Sequence, residues 1–185
     1  MTASASPSAS ASSSQSPSAS ASNTAAGRGG SATKADPRLA DTDHMPYWLD
    51  VVRDCKYDEQ KPEIQNVVSG DVNGDGAQDI LVVRTCTAIT SYWPSTVEIY
   101  DGTSRVSKPK RIGTLLTDHT EGPYVHSVKV NRGVVEITAY GVDAHTDNSC
   151  PNAVFHYRFR LAGNTWGLLG QTTGKRLAEC PRIGS

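Results

Sequence analysis

AVFHYRFRLAGNTWGLLGQ, residues 153–171, alternates in polarity and then turns back on itself. In its first arm Phe155, Tyr157, Phe159 and Leu161 fall on one side of an extended chain, and His156, Arg158 and Arg160 on the other. Successive strand side chains point to opposite faces, so one face is core and one is wet. That is the pattern of an antiparallel sheet, and Ala162-Gly163-Asn164 supplies the turn of a hairpin.

The same reading extends outward. VHSVKVNRGVVEITAYGV (125–142) is a second hairpin, turning about Asn131-Arg132-Gly133. EIQNVVSG (63–70), ILVVRTCTA (80–88), STVEIYDG (95–102) and RIGTLLT (111–117) read as further short strands, the third stopping at Asp101-Gly102. Before them, Pro46 suits a helix start, and Trp48, Val51 and Val52 share one face of a short helix over 47–54. The expected fold is mainly β. Its antiparallel sheets form a sandwich, a barrel or a propeller-blade-like sheet, with one short N-terminal helix. No internal repeat is present, which argues against a complete propeller or solenoid.

The chain has 185 residues, enough for one domain beyond its first segment. Residues 1–35 are almost entirely Ser, Ala, Pro, Thr and Gly, without an aromatic, a Leu, Ile, Val or an acid. Such a segment buries too little apolar surface to offset the entropy of ordering, so it is expected to be a disordered stalk, with the folded domain at 36–185. The start lacks a basic region followed by an apolar one, so no signal peptide is read there. Met1 directly ahead of low-complexity sequence reads as an artificial start, with any leader or anchor originally upstream. Net charge is −1, which gives no general drive toward nucleic acid or an acidic membrane. The basic run RVSKPKR (105–111) reads as a solvated loop. No stretch has the roughly 20 apolar residues that span a bilayer, so direct membrane insertion is not expected.

Cys55, Cys86, Cys150 and Cys180 are widely spaced and form no CxxC pair, which disfavours structural zinc. An even number behind a Ser/Pro stalk points to two disulfides in an oxidising, extracytoplasmic compartment, either secreted or anchored at the cell surface. Of the three connectivities, the favoured one joins Cys86 to Cys150, a strand end to a loop, and Cys55 to Cys180, one end of the domain to the other.

The densest chemistry lies in SGDVNGDGAQDILVV (69–83). With Asp71 at position 1, side-chain oxygens fall at positions 1, 3, 5 and 9: Asp71, Asn73, Asp75 and Asp79. Ala77 would offer its carbonyl at position 7, and Gly76 permits a sharp turn. Hard oxygen donors wrapped this way suit calcium first and magnesium second. An EF-hand needs a bidentate Glu at position 12, where this chain has Val82 inside an apolar run. Dockerin loops also want that acid, a following helix and a second copy.

The stretch DVNGDGAQDILVV resembles the calcium loop of FG-GAP and VCBS-type, integrin-like repeats. There the loop joins two antiparallel strands and an Asp at position 9 closes the shell. The resemblance implies calcium at Asp71, Asn73, Asp75, Ala77 and Asp79, here in a single copy. The stalk, VEIYDG, RIGTLL and the late Cys-Pro more loosely resemble secreted or lipid-anchored proteins of high-GC Gram-positive bacteria.

The expected function is therefore a non-catalytic binding or sensing domain, monomeric, stabilised by one calcium ion and two disulfides, with a protein or glycan ligand. Two alternatives stay open. Loops at 117–119 (TDH) and 143–147 (DAHTD) would have to converge for a secreted His/Asp hydrolase, although no G-x-S-x-G or HExxH motif occurs. A carbohydrate-binding module would use Tyr92 and above all Trp93, in TSYWPS (90–95).

Overall fold

Glu63, Val67 and Asn131, spread over more than a third of the sequence, all lie on strands of one antiparallel plan. The computed structural model describes residues 45–88 and 92–183. These belong to one compact unit, Ala32–Ser185; the expected stalk at 1–35 lies outside the described residues. Helix α1 (Met45–Leu49) precedes β1 (Pro62–Gly70), β2 (Asp79–Cys86), β3 (Thr96–Tyr100), β4 (Arg111–Leu115), β5 (Tyr124–Asn131), β6 (Val134–Gly141), β7 (Ala153–Ala162) and β8 (Thr165–Thr173). Two four-stranded meanders result, in the orders β1-β2-β3-β4 and β5-β6-β7-β8. Of the three expected arrangements, the sandwich is adopted. No helix of the described residues is long and apolar enough to cross a membrane.

The sheets share one core. Leu81, Val83, Val97 and Ile99 of the first meet Val135, Ile137, Phe155 and Tyr157 of the second. Alternation in β7 works as expected, with Phe155, Tyr157 and Phe159 buried and His156, Arg158 and Arg160 exposed. In β2, by contrast, every residue is buried. Leu81 and Val83 face the second sheet, while Ile80 and Val82 face Trp48, Val52, Val67 and Tyr100. A strand covered on both faces reads as a continuous apolar run instead of an alternating one.

The helix is shorter than expected, ending at Leu49 instead of residue 54. Trp48 still anchors it, fully buried, with its ring 5.0 Å from that of Tyr100. Val51 and Val52 both donate to the Trp48 carbonyl. The next amide, Arg53 N–H, leaves the helical pattern and donates to Glu98 Oε1 at 3.0 Å. A long-range partner thus holds the chain just beyond the helix end.

Two contacts join the sheets at their rims. Buried Ser95 donates from Oγ to Gln65 Oε1 at 2.6 Å and accepts from Val125 N–H at 2.9 Å. At the opposite rim Trp166 of β8 donates from Nε1 to the Ile112 carbonyl of β4 at 3.0 Å. The indole lies on Gly113, where a Cβ would stand 2.1 Å from Nε1. The expected Asn131-Arg132-Gly133 turn forms with φ of 50° at Arg132 and 73° at Gly133, as a tight hairpin loop demands.

The cysteines all pair, but not as expected. Cys55 joins Cys86, and Cys150 joins Cys180. Each bridge stays within one half of the chain. The first ties the segment after α1 to the end of β2; the second ties the chain before β7 to the chain after β8. Each bridge joins segments in or beside the same meander, 31 and 30 residues apart in sequence, and these pairings leave no partner for the longer Cys86–Cys150 and Cys55–Cys180 links.

Candidate functional site

The acidic loop forms the hairpin connection between β1 and β2, whose last rung pairs Gly70 with Asp79. Gly74 and Gly76 take φ of 80° and 84°, where a side chain is disfavoured. The polar side chains then cap the loop's own backbone. Asp71 accepts from Gly74 N–H at 2.7 Å and from Gly76 N–H at 3.0 Å. Asn73 accepts from Asp75 N–H, and Asp75 from Ala77 N–H, each at 2.8 Å. The Asn73 amide donates to the other Asp75 oxygen at 3.0 Å.

Asp79 differs from the rest because it is completely buried. One oxygen accepts from Val72 N–H and the other from Gly102 N–H, both at 3.0 Å. Gly102 lies so close that a Cβ there would stand 1.9 Å from the Gln78 carbonyl oxygen. Asp79 thereby locks the β3–β4 turn onto the acidic loop. Burial pushes its carboxyl up, the Gly102 and Val72 amides pull it down, and the charges of Asp75 and Asp101 push it up again; the result lies above the usual aspartate range. Lys110 offsets Asp101 only weakly, with Nζ 3.8 Å away on a largely exposed side chain. As the loop lies, no three His, Cys, Asp or Glu side chains among the described residues are gathered closely enough to hold a metal ion.

The other expected positions are dispersed in role. His119 pairs with Glu121 at 3.6 Å and packs edge-on against Tyr157, while the Asp118 carboxylate accepts from Thr117. In the 143–147 turn, Asp143 accepts from His145 N–H and binds Arg176. Among the described residues, neither His119 nor His145 hydrogen-bonds a hydroxyl or thiol through its ring. Tyr92 donates to the Gly122 carbonyl at 2.7 Å, and its ring stands edge-on to Tyr124. Trp93 is half-buried, with its ring 5.7 Å from that of Tyr57, which is exposed.

Two features escaped the sequence reading. One is a groove of about 860 Å³ where α1 and β1 approach β5 and β6, lined by Leu49, Glu63, Tyr124, His126 and Tyr140 among others. Its size is that of a small-molecule site. The other is a charged cluster inside the first sheet's outer layer. Glu98 is fully buried and accepts from Arg84 Nε, Arg111 Nη1 and Tyr100 Oη, each at 2.8 Å, besides Arg53 N–H. Burial pushes the Glu98 carboxyl up, but the donors from Arg111, Arg53, Tyr100 and Arg84 outweigh it and hold the group below the usual glutamate range. The only sequence signal was a Glu at an alternating position of VEIYD.

No protein-family model matches this chain, and no curated protein or solved structure is significantly similar to it.

Proposed function

We propose that residues 36–185 are a non-catalytic, extracytoplasmic binding or sensing domain, held by two disulfides and by one calcium ion in the loop at 71–79, and carried at the cell surface on the Ser/Ala/Pro stalk. The calcium reading rests on the weakly compensated negative charge around Asp79, where the interacting charges of Asp75 and Asp101 are both acidic. The donor set is hard oxygen, which suits calcium. A carboxylate offers about four lone-pair sites, so one amide bond at each oxygen leaves room for a cation. Ligation would require Asp71 and Asp75 to turn toward a common point, which their partly and fully exposed positions allow. The compartment reading rests on the two disulfides, which persist in oxidising surroundings. Glycan contact at Trp93 would use the exposed ring of Tyr57 beside it.

Melting curves in excess calcium and in chelator test the loop. With a Kd of about 0.1 mM and about 2 mM calcium, binding adds roughly 1.8 kcal/mol. That is about 4–7 °C in Tm for a domain of this size. Asp75→Ala should abolish most of the difference, and Asp118→Ala should keep it. Identical melting of the unaltered protein in both buffers, with no heat of binding at millimolar calcium, would reduce the loop to a turn.

A further inference from the structure

The disulfide Cys55–Cys86 stands against the buried charged cluster. Arg84 Nη1 donates to Cys86 Sγ at 3.3 Å, while Arg84 Nε binds Glu98 at 2.8 Å. Arg111 binds the other Glu98 oxygen at 2.8 Å. The cluster therefore carries two guanidinium charges against one carboxylate, since Tyr100 is held neutral by burial and by Glu98. An anion formed at Cys86 Sγ would balance the remaining positive charge. The two sulfurs also differ in access: Cys86 is only 4% exposed, whereas Cys55 is partly open in the exposed segment 53–59. No such donor reaches either sulfur of Cys150–Cys180 among the described residues.

We propose that Cys55–Cys86 is a thiol–disulfide exchange site for a reducing dithiol partner. A partner thiolate attacks Cys55 Sγ and forms a mixed disulfide. The Cys55–Cys86 bond breaks, and its electron pair stays on Cys86 Sγ as a thiolate facing Arg84. The partner's second thiol then attacks the mixed disulfide and releases Cys55, which takes a proton from solvent. The partner ends as a disulfide and this chain as a dithiol, a two-electron exchange. Attack in this direction is favoured because a stabilised thiolate is the better leaving group. Reduction would untether the segment after α1 from the end of β2. The proposal is independent of calcium.

The Cys55→Ser variant isolates the leaving group. Arg84 of β2 touches Cys86 Sγ directly and links it to Glu98 and Tyr100 of β3 and Arg111 of β4, while Asp54 and Lys56 flank position 55 on the facing segment. Thiolate absorbance against pH should show Cys86 titrating about one unit or more below the ordinary value near 8.5, giving roughly tenfold more thiolate at pH 7. Adding Arg84→Gln should remove that gain, and Arg84→Lys should keep part of it. A Cys86 pKa at or above 8.5 in a variant with native near-UV circular dichroism overturns the proposal. Should Cys55→Ser lose that signature, the unaltered full chain decides: glutathione treatment, alkylation and peptide mapping should place the adduct on Cys55 and the alkyl group on Cys86. An adduct on Cys86, or none at this bridge, overturns it equally.

Discussion

The two sheets have equal strand numbers and the same meander connection, yet only the first is covered on both faces. Its β2 is buried at every position, whereas β7 in the second sheet shows His156, Arg158 and Arg160 to water. The same residue types consequently behave differently. Glu98 on β3 has no access to solvent and is saturated by two guanidiniums, a phenol and an amide. Glu136 on β6 meets Arg158 across the strand at 3.7 Å, with both side chains well exposed. In the covered sheet a charge must be fully partnered, because desolvation is expensive; in the open sheet water does most of the work.

The sharpest break in this comparison is a pair of substitutions. Glu98→Ala should cost about 3–5 kcal/mol, since it leaves two guanidiniums without their buried acceptor. Glu136→Ala should cost less than about 1 kcal/mol. Denaturant unfolding at pH 7 measures both, and similar losses would end the distinction between the sheets.

A portion of the Glu98 contribution should vanish in acid. Its carboxyl is depressed from 4.5 in the folded protein, so the stabilisation is whole above that value and is lost as pH falls through the lower folded one. Unfolding midpoints between pH 6 and 3 should fall for the unaltered protein and fall less for Glu98→Gln. Parallel curves would place the acid sensitivity elsewhere.

Smaller effects distinguish the rims. Gly113→Ala should cost about 1–3 kcal/mol by pushing the Trp166 indole off β4. Gly170→Ala, on β8 with nothing within 4 Å of the added carbon, should be neutral or stabilise by about 0.4–1 kcal/mol. Thermal unfolding of the two variants gives the comparison, and a neutral Gly113→Ala would show that the Trp166–Ile112 contact does not brace the rims.

Strand existence was largely legible because alternation is a local property. All eight strands fall within two or three residues of the expected segments, and the turns at Gly133 and Gly163 stand where glycine and its neighbours announced them. The helix expected over 47–54 is shorter because the chain tightens into a turn at Val51 and its next residues take tertiary partners, Arg53 N–H bonding Glu98 45 residues away. Asp79 was legible as a special acid of the loop, but its bond to Gly102 was not, since nothing in DVNGDGAQD indicates the β3–β4 turn. The groove beside His126 and Tyr140 was invisible for the same reason, being built from α1, β1, β5 and β6 together.

By itself the sequence determined that this chain makes short antiparallel strands, that its loop at 71–79 crowds hard oxygen donors between glycines, and that its cysteines are spaced for bridges. The first two follow from side chains one to nine residues apart and from backbone preferences that act over the same range; the third follows from the number of cysteines and the absence of a close pair. Tertiary structure alone decided that Cys55 pairs with Cys86 and Cys150 with Cys180, that β2 is enclosed on both faces, and that Glu98 gathers Arg84 and Arg111 beneath a five-residue helix. Those outcomes depend on which faces meet when two sheets and a helix close around a shared core. A strand's pattern states only that one of its faces needs cover; what covers it is set by the packing of the whole domain.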